Sequence, residues 1–94
     1  MTITSIIKEK QGNIVDVRTP AEFQGGHVAG SVNIPLQELV QRLDEVKEFK
    51  QPLVLCCASG VRSGHAQGFL AQQGINCVNA GSWLDVNYLQ AQAN

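Results

Sequence analysis

Two adjacent cysteines, Cys56 and Cys57, close the apolar run "PLVLCC" and are followed directly by Ala58-Ser59-Gly60-Val61-Arg62-Ser63. A thiolate is the nucleophilic form of cysteine, and it forms where nearby positive potential lowers the thiol pKa. A turn of small residues, with Gly60 free to take a positive φ, can aim successive backbone amides into one concavity that binds anions. With the positive end of a following helix, such a nest would bring Cys57 below its ordinary pKa of about 8.5. Arg62 adds a fixed charge with two open roles: binding an anionic substrate, or pairing with a carboxylate to brace the loop.

Neighbouring residues of a strand send their side chains to opposite faces, so only one of the two cysteines can serve this loop. Cys57 begins the glycine turn and is the candidate nucleophile; Cys56 reads as a small apolar residue packed under a helix. Cys77 reads likewise, as a buried thiol in a later strand. No ligand grouping such as C-x-x-C is present, and His27 and His65 are isolated, so no metal site is expected. His27 in "GGHVAG" is expected to hydrogen-bond within a turn, and His65, in the first turn of the loop helix, to face solvent. Asp16 and Arg18 in "DVR" end a strand on the side of Cys57, where an ion pair or a capping role is expected, with Glu22 and Arg62 as candidate partners. "GVRSG" lacks the lysine and outer glycine of a nucleotide-binding P-loop. Gly64 and Gly68 each cost a helix about 1 kcal/mol relative to alanine; close packing near the loop would account for Gly64, and nothing in the sequence accounts for Gly68.

The elements that must place these residues alternate at short intervals. "NIVDV" (13–17) and "PLVLCC" (52–57) have the branched, apolar character of strands covered on both faces, with "NCVNA" (76–80) and "GSVNI" (30–34) as further strands. An N-terminal edge strand is read at "MTITS". Thr19-Pro20-Ala21-Glu22 has the form of a capping box, which starts a helix immediately after "DVR". Leu36, Leu39, Val40 and Leu43 recur at helical spacing, as do Ala66, Phe69 and Leu70, with Gly74 placed to end the latter helix. A last helix begins near Ser82, carrying Trp83 and Val86. This order predicts an α/β fold, a parallel sheet with helices on both faces. In such a sheet the reactive site lies at the carboxyl ends of the strands.

The 94 residues fit one domain, 1–94, with 44% hydrophobic and 16% charged residues and a net charge of −1. That balance describes a soluble globular protein and gives no electrostatic reason to expect nucleic acid or a membrane as partner. An odd count of three cysteines argues against a disulfide-stapled secreted fold. The N-terminus lacks the pattern of a signal peptide, and a cytoplasmic location is the expectation.

The stretches "IVDVRTPAEFQGGHVAGSVNIP", "CASGVRS" and "GINCVNAGSW" together resemble, in order, the N-terminal signature, the C-x-x-G-x-R-S cysteine loop and the closing strand and turn of the rhodanese-like sulfurtransferases. The resemblance implies a parallel sheet of about five strands between helices. It also implies sulfur transfer without metal or cofactor, in which Cys57 takes a sulfane sulfur from a donor such as thiosulfate or polysulfide. The resulting persulfide would then pass that sulfur to a thiol or cyanide. Backbone amides of Ala58 through Ser63 would hold the cysteine-bound sulfur and its charge. Implied partners are a small sulfur-donor anion and a thiol acceptor, or a thioredoxin-like or persulfide-carrying protein. Many members carry a basic residue immediately after the nucleophile, where this chain has Ala58, and often paired glycines where it has Gly81-Ser82. Two other readings compete. A cysteine-dependent phosphatase or arsenate reductase uses similar parts, but the tyrosine phosphatase loop is one residue longer between cysteine and arginine. A rhodanese-like module that only binds a partner would keep the fold without the chemistry.

Overall fold

The computed structural model describes residues 2–92. Its sheet has strands β1 (Ile14–Asp16), β2 (Val32–Asn33), β3 (Leu53–Cys57) and β4 (Cys77–Ser82), all parallel, in the order β2-β1-β3-β4. The helices are α1 (Ile3–Lys8), α2 (Pro20–Gln24), α3 (Leu43–Lys47), α4 (Val61–Gln72) and α5 (Trp83–Ala91), with a 3-10 turn at Leu36–Glu38.

The α/β class with helices on both faces holds, but among the described residues the sheet has four strands and not five. The expected N-terminal edge strand is α1. Thr2 caps it by accepting from the Ser5 amide, while Ser5 Oγ accepts from the Thr2 amide. Ile3, Ile6 and Ile7 stand at helical spacing, and Ile6 and Ile7 are buried against the sheet. The helix expected through Leu36 to Leu43 is broken as well. Its first part is the single 3-10 turn, Val40 points to solvent, and α3 starts only at Leu43.

Alternation along the central strands divides the core. On one face Val15, Leu53, Leu55 and Cys57 pack with Val46 of α3 and Ala66 and Leu70 of α4. On the other, Ile14, Val54 and Cys56 pack with Ile6 and Ile7 of α1 and Val86 of α5. Burial of such side chains supplies the main favourable free energy of folding. The chain leaves β1 for β2 on one side, then returns past β1 to place β3 on the other. The strand order therefore reverses between β1 and β3, and a crevice opens at their carboxyl ends. Asp16 and Cys56 face each other across that boundary in the β1–β3 register.

Candidate functional site

β3 delivers Cys57 to the crevice and α4 begins four residues later, so residues 58–60 make the whole connection. Gly60 makes that tight turn possible. It is the N-cap of α4 with φ 103°, and a β-carbon there would lie 3.2 Å from the Gly81 Cα. The Gly60 amide donates to Cys57 Sγ at 2.9 Å and the Ser63 amide at 3.5 Å, while the Ser63 hydroxyl lies 3.4 Å from the sulfur. Ser63 is fully buried and Cys57 is 1% exposed, whereas Ala58, Ser59 and Val61 face solvent. The sulfur sits at the bottom of a ring of N–H donors.

Burial by itself would push the Cys57 thiol up. Hydrogen bonds from the Ser63 hydroxyl and from the amides of Ser63, Gly60 and Ser59 outweigh it and bring the thiol down to about 7. One residue earlier, on the apolar opposite face, burial and the nearby Asp16 carboxylate push Cys56 up to about 12. The strand thus separates the two cysteines as alternation predicts. Cys77 is half-buried at the start of β4, with burial raising its thiol.

Of the two roles open to Arg62, the structure shows pairing with a carboxylate. Its Nη1 and Nη2 meet Glu22 Oε1 and Oε2 at 2.7 and 3.0 Å. Glu22 is presented by the expected capping box: Thr19 Oγ1 accepts from the Glu22 amide and Glu22 Oε1 accepts from the Thr19 amide. The Arg62 fork, with help from Thr19, holds the Glu22 carboxyl down at about 2. Asp16 and Arg18 form an ion pair with each other, and Arg18 meets Glu22 only at its main-chain carbonyl, to which Nη1 donates at 3.4 Å. Arg18 Nε and Nη2 reach the fully buried Asp16 carboxylate at 2.7–3.0 Å, and Nη2 also donates to the Gly26 carbonyl. The guanidinium lies 4.6 Å from the Trp83 ring centroid, so one cation ties β1, the loop after α2 and the start of α5 together. Both arginines beside the crevice are therefore engaged by carboxylates.

His27 stacks on Phe23 and its Nδ1 is 2.7 Å from the Phe23 carbonyl, the turn role expected of it. His65 is exposed. A β-carbon on Gly64 would lie 3.3 Å from Asn79 Nδ2, so close packing does account for that glycine; nothing in the structure accounts for Gly68. Ser82, in place of a second glycine, has an ordinary φ of −73° and caps α5 by accepting from the Leu84 amide.

Asn79 was not among the candidates. It stands on β4 opposite Leu55, on the inward parity of a strand, and bonds Ser63, Gly60 and Gly81. A polar residue where period-two burial calls for an apolar one was the available signal.

The rhodanese-like domain description matches residues 3–87. Over 65 residues the chain is 45% identical to the Bacillus subtilis protein YqhL, covering 69% of this chain and 51% of that one. Over 74 residues it is 38% identical to the thiosulfate sulfurtransferase PspE of Escherichia coli, covering 77% of this chain and 71% of that one. The chain thus spans about half the length of the first of these relatives. Among solved structures, a rhodanese-related protein from Thermoplasma volcanium superposes with a TM-score of 0.77 at 30% identity, covering 96% of this chain and 88% of that one.

Proposed function

The chain belongs to the rhodanese-like domain family, and from that premise we propose that it is a sulfurtransferase working through a persulfide on Cys57. The observation that carries this reading is the ring of N–H donors around a thiol lowered to about 7. At neutral pH about half of such a thiol is thiolate.

The thiolate attacks the sulfane sulfur of a donor such as thiosulfate or polysulfide. A bond forms from Sγ to that sulfur, and the donor's bond to it breaks. The leaving group departs with the electron pair, as sulfite from thiosulfate or as a shorter polysulfide. The negative charge then rests on the outer sulfur of the persulfide, with the loop amides positioned to stabilise it. A thiol, thiolate or cyanide acceptor attacks the outer sulfur and returns Cys57 to the thiolate. The only atom exchanged is sulfur, and no metal or cofactor is called for.

The short link from Cys57 to α4 favours a single sulfur atom over a tetrahedral phosphate. Engagement of Arg62 by Glu22, with Ala58 beside the nucleophile, leaves no unpaired cation among the side chains of residues 57–63 to hold a dianion. Polysulfide or a persulfide-carrying thiol therefore suits the site better than thiosulfate. Cys57 must be reduced to act, which fits work in the cytoplasm; no helix among the described residues is long and apolar enough to cross a membrane.

Mass spectrometry of Cys57 after parallel exposure to thiosulfate, polysulfide and a phosphate ester tests the reading. A cyanide-labile gain of one sulfur atom is expected with a sulfane donor. No gain with any such donor leaves the partner-binding module, and a phosphocysteine with the ester would establish the phosphatase chemistry instead.

A further inference from the structure

Asn79 lies on the sheet face that otherwise carries Leu53, Leu55, Cys57 and Cys77. A carboxamide there needs partners at both ends, and it has them. Nδ2 donates to the Gly60 carbonyl at 3.0 Å, and Oδ1 accepts from the Gly81 amide at 3.0 Å. A carbonyl only accepts and a main-chain N–H only donates, so these contacts fix which end of the side chain is oxygen. That oxygen is the atom 2.7 Å from Ser63 Oγ.

Ser63 has one hydroxyl proton and two acceptors for it, Asn79 Oδ1 at 2.7 Å and Cys57 Sγ at 3.4 Å. While Cys57 is a thiol, S–H donates to Ser63 Oγ and Ser63 donates onward to Asn79. On ionisation the thiolate becomes the stronger acceptor, and the hydroxyl turns to it. When the thiolate takes up a sulfur atom, Sγ is left uncharged between carbon and sulfur and accepts poorly. The Ser63 proton then swings back to Asn79.

We propose that Asn79 is a positioning residue for the nucleophile, acting through Ser63: it gives the Ser63 proton a second acceptor and so favours the thiol and persulfide states of Cys57 over the bare thiolate. The persulfide half rests on the sulfur-transfer reading; the thiol half stands without it. In loading, the thiolate's electron pair forms the Sγ–S bond and the broken donor bond's pair leaves with the donor remnant, while Ser63 keeps its own proton throughout.

The charged groups about Cys57 are Arg62 on α4, Glu22 on α2, and Asp16 with Arg18 at the end of β1; β4 carries none. Replacing Asn79 leaves all of them in place. The test compares Asn79→Leu with the parent chain by the pH dependence of Cys57 alkylation, read by mass spectrometry at that residue. The thiol pKa is expected to fall by about 0.5–1 unit, because the Ser63 proton is then always available to the sulfur. In a Ser63→Ala background, Asn79→Leu is expected to leave it unmoved. Simple loss of the Gly60 anchor would loosen the amide ring and push the thiol up in both backgrounds. A rise, no change, or an equal shift with and without the Ser63 hydroxyl therefore overturns the proposal. Asn79→Ala carries the same comparison if the leucine variant folds poorly. Sulfur loss from loaded Cys57 to a thiol should also speed up several-fold relative to loading, and an unchanged ratio overturns the persulfide half. Failure of every donor to load Cys57 would sink the sulfur-transfer reading, while the alkylation comparison still judges Asn79.

Discussion

One peptide bond separates a thiol lowered to about 7 from one raised to about 12. The cause is strand parity, which sends Cys56 into apolar packing beneath α1 and α5 and Cys57 into a ring of amides. Alkylation of Cys57 should accordingly rise with pH through about 7 and level off above about 8, where an ordinary thiol is still climbing. Cys56 should stay unlabelled until the protein unfolds. Peptide mass spectrometry across a pH series reads both, and early labelling of Cys56 would show the loop assignment to be wrong. Cys57→Ser should abolish sulfur transfer, and Cys56→Ser should leave most of it. A depressed folded-state pKa also has a stability sign: the contribution is full above the ordinary thiol pKa, and is lost as pH falls from there through about 7. Which of the two thiols faces the loop was legible because parity and the glycine turn are local. The sequence does not single out Asn79, because Gly60 on the turn after Cys57 and Ser63 on α4 are distant in the chain, and only the folded sheet brings them within reach.

At the scale of elements, α2 exists to present one carboxylate. Its five residues bury none of their own side chains, so the Thr19 box and Pro20, not core packing, set where it starts. Glu22 in that box closes on Arg62 of α4, 40 residues away, and fixes the direction of a guanidinium that would otherwise face any anion entering the loop. Glu22→Gln should release Arg62, and the KM for thiosulfate should fall several-fold while transfer from uncharged sulfane donors changes little. Initial rates at several ionic strengths measure this. A raised KM for every donor would mean instead that the ion pair holds the amide ring in shape. The Glu22 carboxyl sits below its ordinary 4.5, so the clamp is complete above that value and is lost as pH falls from there toward about 2. Since both side chains are about a third exposed, salt should weaken it too. The sequence showed the helix start but not the pairing, because a capping box is written in four adjacent residues and an ion pair between elements is not. Local spacing misled at Leu36 to Leu43, where apolar residues at helical intervals serve a 3-10 turn and a separate short helix.

Across the whole molecule, the sheet order β2-β1-β3-β4 puts the ends of β1 and β3 at one crevice, and α4 joins that crevice to the larger core. The order was legible only as a class, since alternating strands and helices require parallel pairing without saying which strand takes the edge. The same helix holds two glycines that respond to opposite demands. Gly64 packs where a β-carbon would press on Asn79 Nδ2, which the Gly60 carbonyl holds in place. Gly68, one turn on, is exposed and has nothing within 4 Å of where its β-carbon would be. Alanine at Gly68 should therefore gain the full helix-propensity difference of about 1 kcal/mol, by removing backbone freedom from the unfolded chain without new contacts in the folded one. For a domain of this length that is a rise in Tm of roughly 4–8 °C. Alanine at Gly64 should recover little of that gain, because Asn79 must shift, and the shift should show as an altered Cys57 alkylation profile that Gly68→Ala lacks. Calorimetry with thiol titration of the two variants separates the effects. Equal stabilisation with unchanged Cys57 reactivity in both would mean that the contact between α4 and β4 does not govern the loop.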